Sequence, residues 1–369
     1  MLLASFYKYI YLLIVTVLTF SAKAVYANRI VQTKHIHGKH NQVLLLTVFL
    51  VLFIGFRPHS YVFVDTMNYV FGYEHDEGSL FVFDPDAENF LFDNIFQFFS
   101  SACLGITSFF LLIATIYFGA SAWAARRLFP NDTFAAYIVF LAAFSTFSYG
   151  TNGIKAGAAT SLFLLALSYR EKIIPCLLLM YATIGMHHSM VVPVLAFILT
   201  LFFKNPKWYF YGWIFSALIA TAHIGVFQNL FAGFADESGA RYLGAEGYSD
   251  GAYLSGFRPD FMLYSAMPVW VGYIAKFKKN IKSKTYDTLL YTYLTTNAVW
   301  MLCMYASFTN RIAYLSWCLY PIVLIYPFLN ENWGANRYRV FAKVMIYHLL
   351  FTIFMELIYY GGIAKLLGF

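Results

Sequence analysis

The sequence predicts an all-α polytopic membrane protein, and three observations carry that prediction. Only 12% of the residues are charged while 60% are hydrophobic, and the mean hydropathy is +0.62. A soluble domain carries about 25% charged residues. Apolar runs recur along all 369 residues, many of them near the roughly 20 residues that a helix needs to cross a bilayer. Lys and Arg also gather in alternate connections between those runs, as the positive-inside tendency requires. The aromatic share of 21% suits helices with many interfacial Tyr and Trp.

About twelve helices are expected in a single integral membrane domain, 1–369. The first, 5–25, is apolar throughout; it lacks a basic start and a cleavage site, so it reads as a span and not as a signal. The second, 42–56, runs up to the tetrapeptide Gly55-Phe56-Arg57-Pro58. The third, 96–121, ends before Arg126 and Arg127, and 134–150 and 154–169 flank the turn-like Asn152-Gly153. Helices 173–188 and 190–203 meet at His187-His188, and 208–230 follows Lys204 and Lys207. A second Gly-Phe-Arg-Pro, Gly256 to Pro259, precedes 261–275. A basic run, Lys276 to Lys284, separates that helix from 286–306, and 311–328 and 341–360 complete the set.

Of the 25 Lys and Arg, 17 fall in the set of connections that holds Arg29, Arg126, Arg170, Lys204, Lys279 and Arg337. That side is expected to be cytoplasmic. The opposite side then holds two long loops, about 57–94 and 231–260. The first is rich in Asp and Glu, and the second is rich in Gly and Tyr. Functional loops are commonly long and exposed, so the chemistry is expected outside.

The net charge of +7 does not indicate nucleic-acid binding, because the basic residues are spread over short loops. Cys103, Cys176, Cys303 and Cys318 lie in apolar segments and read as packing residues, with no disulfide framework and no zinc spacing. Asp84-Pro85-Asp86 has the D-x-D form of a metal-dependent nucleotide-sugar transferase, but on the side where no nucleotide sugar exists; it reads as a solvated loop or, at best, a weak cation site. His35, His37 and His40 have no acidic or Cys partner in sequence and read as part of a basic inner loop. His223 and His348 read as packed. Glu356, a lone acid in an apolar span, is either functional or bonded to a neighbouring helix. No metal and no cofactor are expected.

Cations on the outer side run against the positive-inside tendency and need a reason. Arg57, Lys155, Arg241, Arg258 and Arg311 are five such residues. They read either as lipid-snorkelling or ion-paired groups or as an anion site, since the planar guanidinium fork matches phosphate oxygens. Candidate bases beside them are Asp65, His187, His188 and Asp260. The two aspartates serve either as bases or as partners that orient the arginines.

Four stretches carry a family resemblance. "GFRPHSYVFVDTMNYV" from Gly55, "NGIKAGAATSLFLLALSYR" from Asn152, "ATIGMHHSMVVPV" from Ala182 and "TNRIAYLSW" from Thr309 resemble, in order and spacing, segments of the EpsG/Wzy family of bacterial polysaccharide polymerases. The resemblance covers about Ile54 to Pro327. Three positions depart from it: Val64 replaces the usual Gly before the Asp, Lys155-Ala156 replaces Arg-Gln, and Met186 replaces an aromatic. The Lys155 departure keeps the charge but loses the fork.

The resemblance implies a multi-pass protein of the bacterial inner membrane with a GT-C-like glycosyltransferase architecture and a site facing the periplasm. Its substrates would be undecaprenyl-pyrophosphate-linked oligosaccharide repeats for an O-antigen or similar surface polysaccharide of lipopolysaccharide type. Its partners would be those lipid-linked repeats, a polysaccharide chain-length regulator and membrane lipids, with no nucleic acid. An O-antigen ligase or another polyprenyl-linked-sugar glycosyltransferase needs the same outer cations and base. A lipid-linked-sugar flippase suits twelve helices, but the halves show no inverted repeat beyond the tetrapeptide. A membrane acyltransferase using His187 or His188 does not account for the arginine motifs.

Overall fold

The computed structural model describes residues 3–29, 39–224, 227, 256–306 and 309–361. All regular elements among them are helical. The chain divides into two compact units: residues 1–187 with 328–330 and 334–369, and residues 188–327 with 331–333.

The first unit is built from α1 (Tyr7–Ala27), α2 (His40–Gly55), α3 (Thr66–Asp76), α4 (Phe90–Ser101), α5 (Ile106–Leu128), α6 (Thr133–Leu141), α7 (Thr146–Thr151), α8 (Ile154–Ser168), α9 (Ile173–Met186) and the closing α16 (Arg337–Ile353, continued as a π turn to Tyr359). At its centre α5 packs against α2 and α8, and α8 against α9. Helix α1 lies along α16 and is fastened to it and to α6 at both ends. At one end Lys8 Nζ lies 2.6 Å from Glu356 Oε2. At the other, Arg29 Nη1 and the Tyr26 hydroxyl both donate to Asp132 Oδ1, at 2.6 and 2.5 Å, and the Arg29 guanidinium lies over the Tyr338 ring. Glu356 is therefore the bonded acid of its two readings. His348 is packed as read, its Nε2 3.0 Å from the Val139 carbonyl.

The second unit holds α10 (Val191–Phe202), α11 (Pro206–Thr221), α12 (Pro259–Tyr273, with a π turn to Lys278), α13 (Lys284–Leu302), α14 (Thr309–Trp317) and α15 (Tyr320–Asn330, of which the part to Pro327 belongs here). Local sequence sets the starts: Asn205 and Ser283 side chains accept from backbone amides, and Pro206 and Pro259 stand at the first helical position. Helix α13 is central and packs on α10, α11 and α14. Asn297 ties the unit together, its amide donating to Ser265 Oγ and Ser316 Oγ while its oxygen accepts from Trp213 Nε1 at 2.8 Å. In an apolar interior each of these groups needs its partner.

Among the described residues four helices are long and apolar enough to cross a bilayer: Ala4–Ala27, Ile106–Leu128, Thr309–Asn330 and Arg337–Tyr359. Four shorter apolar helices accompany them, His40–Gly55, Ile154–Ser168, Ile173–Met186 and His188–Phe202. The protein is a polytopic, all-helical membrane protein, but several of the twelve expected spans have other bounds. The expected helix 96–121 is two helices, because residues 102–105 form a turn in which Cys103 has φ +52° and Gly105 φ +79°. Cys103 is accordingly exposed and not a packing residue, unlike Cys176, Cys303 and Cys318. The expected 134–150 breaks after Leu141, where the Thr146 hydroxyl turns back to the Phe140 carbonyl at 2.7 Å. Residues 57–94 are not an open loop, since α3 and the start of α4 lie within them. The 231–255 part of the other long loop, Arg241, and the His35 and His37 tract lie outside the described residues.

Candidate functional site

The two copies of Gly-Phe-Arg-Pro do opposite jobs. In the first, Gly55 is the last residue of α2, and a Cβ there would sit 2.5 Å from Leu111 Cδ2, so the glycine serves close helix packing. In the second, Gly256 has φ +109° and turns the chain into α12, with Arg258 in the N-cap position and Pro259 following. One copy ends a helix and the other begins one.

Arg57 is 2% exposed. Its Nε and Nη2 donate to Thr66 Oγ1 at 3.2 and 3.1 Å, Nη1 donates to the Ile54 carbonyl at 3.1 Å, and the guanidinium lies over the Phe110 ring at 4.1 Å. Every one of these partners is neutral, and no carboxylate among the described residues pairs with it. Burial without a counter-charge pulls the group down to about 10. Thr66 in turn donates to the Thr151 carbonyl at 2.9 Å, which joins the start of α3 to the end of α7. Asp65, half-buried, stands at the N-cap position of α3. Its backbone amide donates to Asn152 Oδ1 at 3.0 Å, so the carboxylate is carried on a turn held by Asn152 and, through Thr66, by Arg57.

Val64, just before Asp65, has φ +43° and ψ −91° and is exposed. A β-branched residue rarely adopts such a backbone. It stands where the family pattern has glycine. Strain of this kind costs on the order of 1–3 kcal/mol, against roughly 0.5–1 kcal/mol for glycine's extra freedom when unfolded. Val64→Gly is thus expected to raise thermal stability by about 1 kcal/mol, read as a higher Tm in detergent; an unchanged or lower Tm contradicts the strain.

Lys155 stands at the start of α8, its ammonium donating to Asp93 Oδ1 at 3.1 Å and lying over the Phe92 ring. It is 27% exposed. His187 caps the end of α9 and is half-buried. Two residues earlier α9 meets α4 so closely that a Cβ on Gly185 would lie 2.5 Å from Phe90 Cε1. In the first unit, then, the ends of α2, α7 and α9 and the starts of α3, α4 and α8 carry Arg57, Asp65, Lys155, Asp93 and His187.

In the second unit His188 opens the short turn before α10. Arg258, 6% exposed, forks onto Asp260: Nε donates to Oδ1 at 2.9 Å and Nη2 to Oδ2 at 2.5 Å. Its guanidinium lies 3.5 Å over the Phe261 ring, and that ring meets Trp317 edge-on at 4.8 Å. Trp317 Nε1 donates to Ser265 Oγ at 2.8 Å, so the Asn297 network braces the start of α12. Arg311 is exposed on α14. The Asp84 carboxylate accepts from the Asp86 amide at 2.9 Å, and no cluster of three metal-ligating side chains occurs among the described residues.

Thr66, Asn152 and Asp93 escaped the sequence reading. Thr66 and Asn152 stand next to residues that the motifs single out, but their value lies in distant backbone partners, 85 and 87 residues away.

Fold and site define a polytopic α-helical membrane protein with buried and half-buried cations and carboxylates at helix ends. The sequence model of the EpsG family matches residues 41–366. The chain belongs to that family, so it is a polysaccharide-polymerase-like membrane protein, and the resemblance carried by the four stretches is borne out. No curated protein matches the chain significantly, and neither does any solved structure.

Proposed function

We propose that the protein is a metal-independent glycosyltransferase that joins undecaprenyl-pyrophosphate-linked oligosaccharide repeats at the periplasmic face of a bacterial inner membrane. The observation that carries this reading is Arg57, a buried cation with neutral partners, bonded to Thr66 next to Asp65 on a turn held by Asn152. An uncompensated buried charge is costly, and an anionic ligand offsets that cost.

In the reaction an acceptor hydroxyl oxygen forms a bond to the anomeric carbon of the donor glycan. The bond from that carbon to the donor's pyrophosphate oxygen breaks, and the pyrophosphate leaves with the electron pair. The hydroxyl proton passes to a base. Asp65 suits that role, because its position is fixed and general-base work demands geometry first. His187 and His188 are the other candidates. Arg57 and Lys155 supply positive charge where the leaving group develops negative charge. Donor and acceptor each carry a pyrophosphate, so anion sites are needed for both. Arg258 and Arg311 of the second unit and Arg241 are the further cations. Asp260 then orients the Arg258 fork and is not the base.

Deleting the gene is expected to leave cores that carry a single repeat and to remove the long ladder, because joining stops while attachment continues. Loss of even the single repeat points to a ligase or flippase and refutes a polymerase. With purified protein in lipid, product length is expected to be unchanged by EDTA; loss of product on chelation contradicts metal independence.

A further inference from the structure

Between α3 and α4 runs an apolar segment, Leu80-Phe81-Val82-Phe83, whose four side chains are all exposed, Leu80 to 83%. Exposed Leu and Phe are ordinary on a span and unusual in a connection. This connection is also held in place. The Gly78 amide donates to the Ser100 carbonyl at 3.1 Å, and Phe81 packs edge-on against Phe98 at 5.7 Å. The buried Asn94 clamps the far end: its oxygen accepts from the Asp84 amide at 2.7 Å, and its amide donates to the Asp84 and Phe90 carbonyls.

These contacts fasten the segment to the last turn of α4, next to the start of α5. Helix α5 is one of the four long spans, and Arg126 and Arg127 mark its opposite end. Leu104, at the α5 start, and Phe98 are exposed as well. The apolar surface of the segment is therefore continuous with the membrane edge of a span. Carboxylates bracket it: Asp76 and Glu77 before, Asp84, Asp86 and Glu88 after. That pattern fits an apolar tip below the headgroups with acids above, facing ammonium headgroups.

We propose that residues 80–83 form a wedge inserted into the bilayer leaflet at the α5 start, with phosphatidylethanolamine as the lipid it meets. Moving exposed Leu and Phe side chains out of water is favourable, so the wedge anchors α3 and, at the other end of that helix, Asp65. The inference does not depend on the reaction proposed above.

The test labels one thiol with an environment-sensitive nitrobenzoxadiazole dye. Cys103 is replaced by Ser, since the other three cysteines are buried. Full-length protein carrying Val82→Cys is reconstituted in vesicles of phosphatidylethanolamine and phosphatidylglycerol; Leu80→Cys is a second site and Asp86→Cys the aqueous control. At 80 and 82, loss of emission is expected with spin-labelled lipid and not with iodide, and the reverse at 86. Quenching of 80 and 82 by iodide places the segment in water and overturns the wedge. Protection of 80 and 82 from both quenchers means that protein, a second copy or another chain, covers the segment, and also overturns it.

Discussion

Arg57→Met is expected to abolish polymer while leaving the protein as stable as before, or more so. The guanidinium is buried, its three hydrogen bonds go to neutral oxygens, and no carboxylate among the described residues repays its desolvation. Replacing buried ionic groups by apolar residues of similar volume is often neutral or stabilising, by about 1–4 kcal/mol for a pair or triad. Thr66 keeps its bond to the Thr151 carbonyl in the variant, so α3 stays joined to α7. A structural role and a charge role thus make opposite forecasts. Unfolding in detergent reads the first, and the glycan ladder reads the second. A full ladder with Arg57→Met removes the charge from the mechanism; a collapse in Tm with lost ladder makes Arg57 a structural residue.

The second large effect is at Arg258. Arg258→Ala strands Asp260, which is 15% exposed, and leaving one partner of a buried pair costs about 3–5 kcal/mol. Low protein level is therefore expected for the single change, and it says nothing about chemistry. The double change Arg258→Ala with Asp260→Ala removes both charges and is expected to restore the level in the membrane while the ladder stays absent. Arg258→Lys keeps the charge but cannot make both bonds to Asp260, and shorter ladders are expected. Lys282→Ala, in an exposed connection, serves as the silent control. A full ladder from the double variant assigns the pair to folding alone.

Most of the fold was legible because composition dictates it: a chain this poor in charge can satisfy its backbone in lipid only as helices here. The helix starts at Pro206 and Pro259 lie two residues before the expected 208 and 261, since proline fixes the first helical position locally. The breaks were not legible. Residues 102–105 carry one glycine, and Leu141 to Thr146 carry only a serine and threonine to mark a stop. Apolar runs joined end to end look continuous when hydropathy alone is read. Among the site residues, the aspartate beside Arg258 was open to reading as its partner, because the two are neighbours on one helix start. The neutral partners of Arg57 were hidden. Thr66 and the Ile54 carbonyl carry no charge, and only the folded turn shows that no acid accompanies that arginine.

The fastening of α1 to α16 bears on how the chain is made. Lys8 and Arg29 wait for partners on α16 and at the α6 start, and α16 emerges from the ribosome after the whole second unit. The first unit is thus a discontinuous one, open along α1 until synthesis reaches Arg337. Until then α1 lacks Glu356 and Tyr338 and presents to lipid the side that α16 later covers. A chaperone or protease that surveys half-made membrane proteins has that interval in which to act. Substitutions far along the chain, at Glu356 or Tyr338, then decide the fate of the first helix.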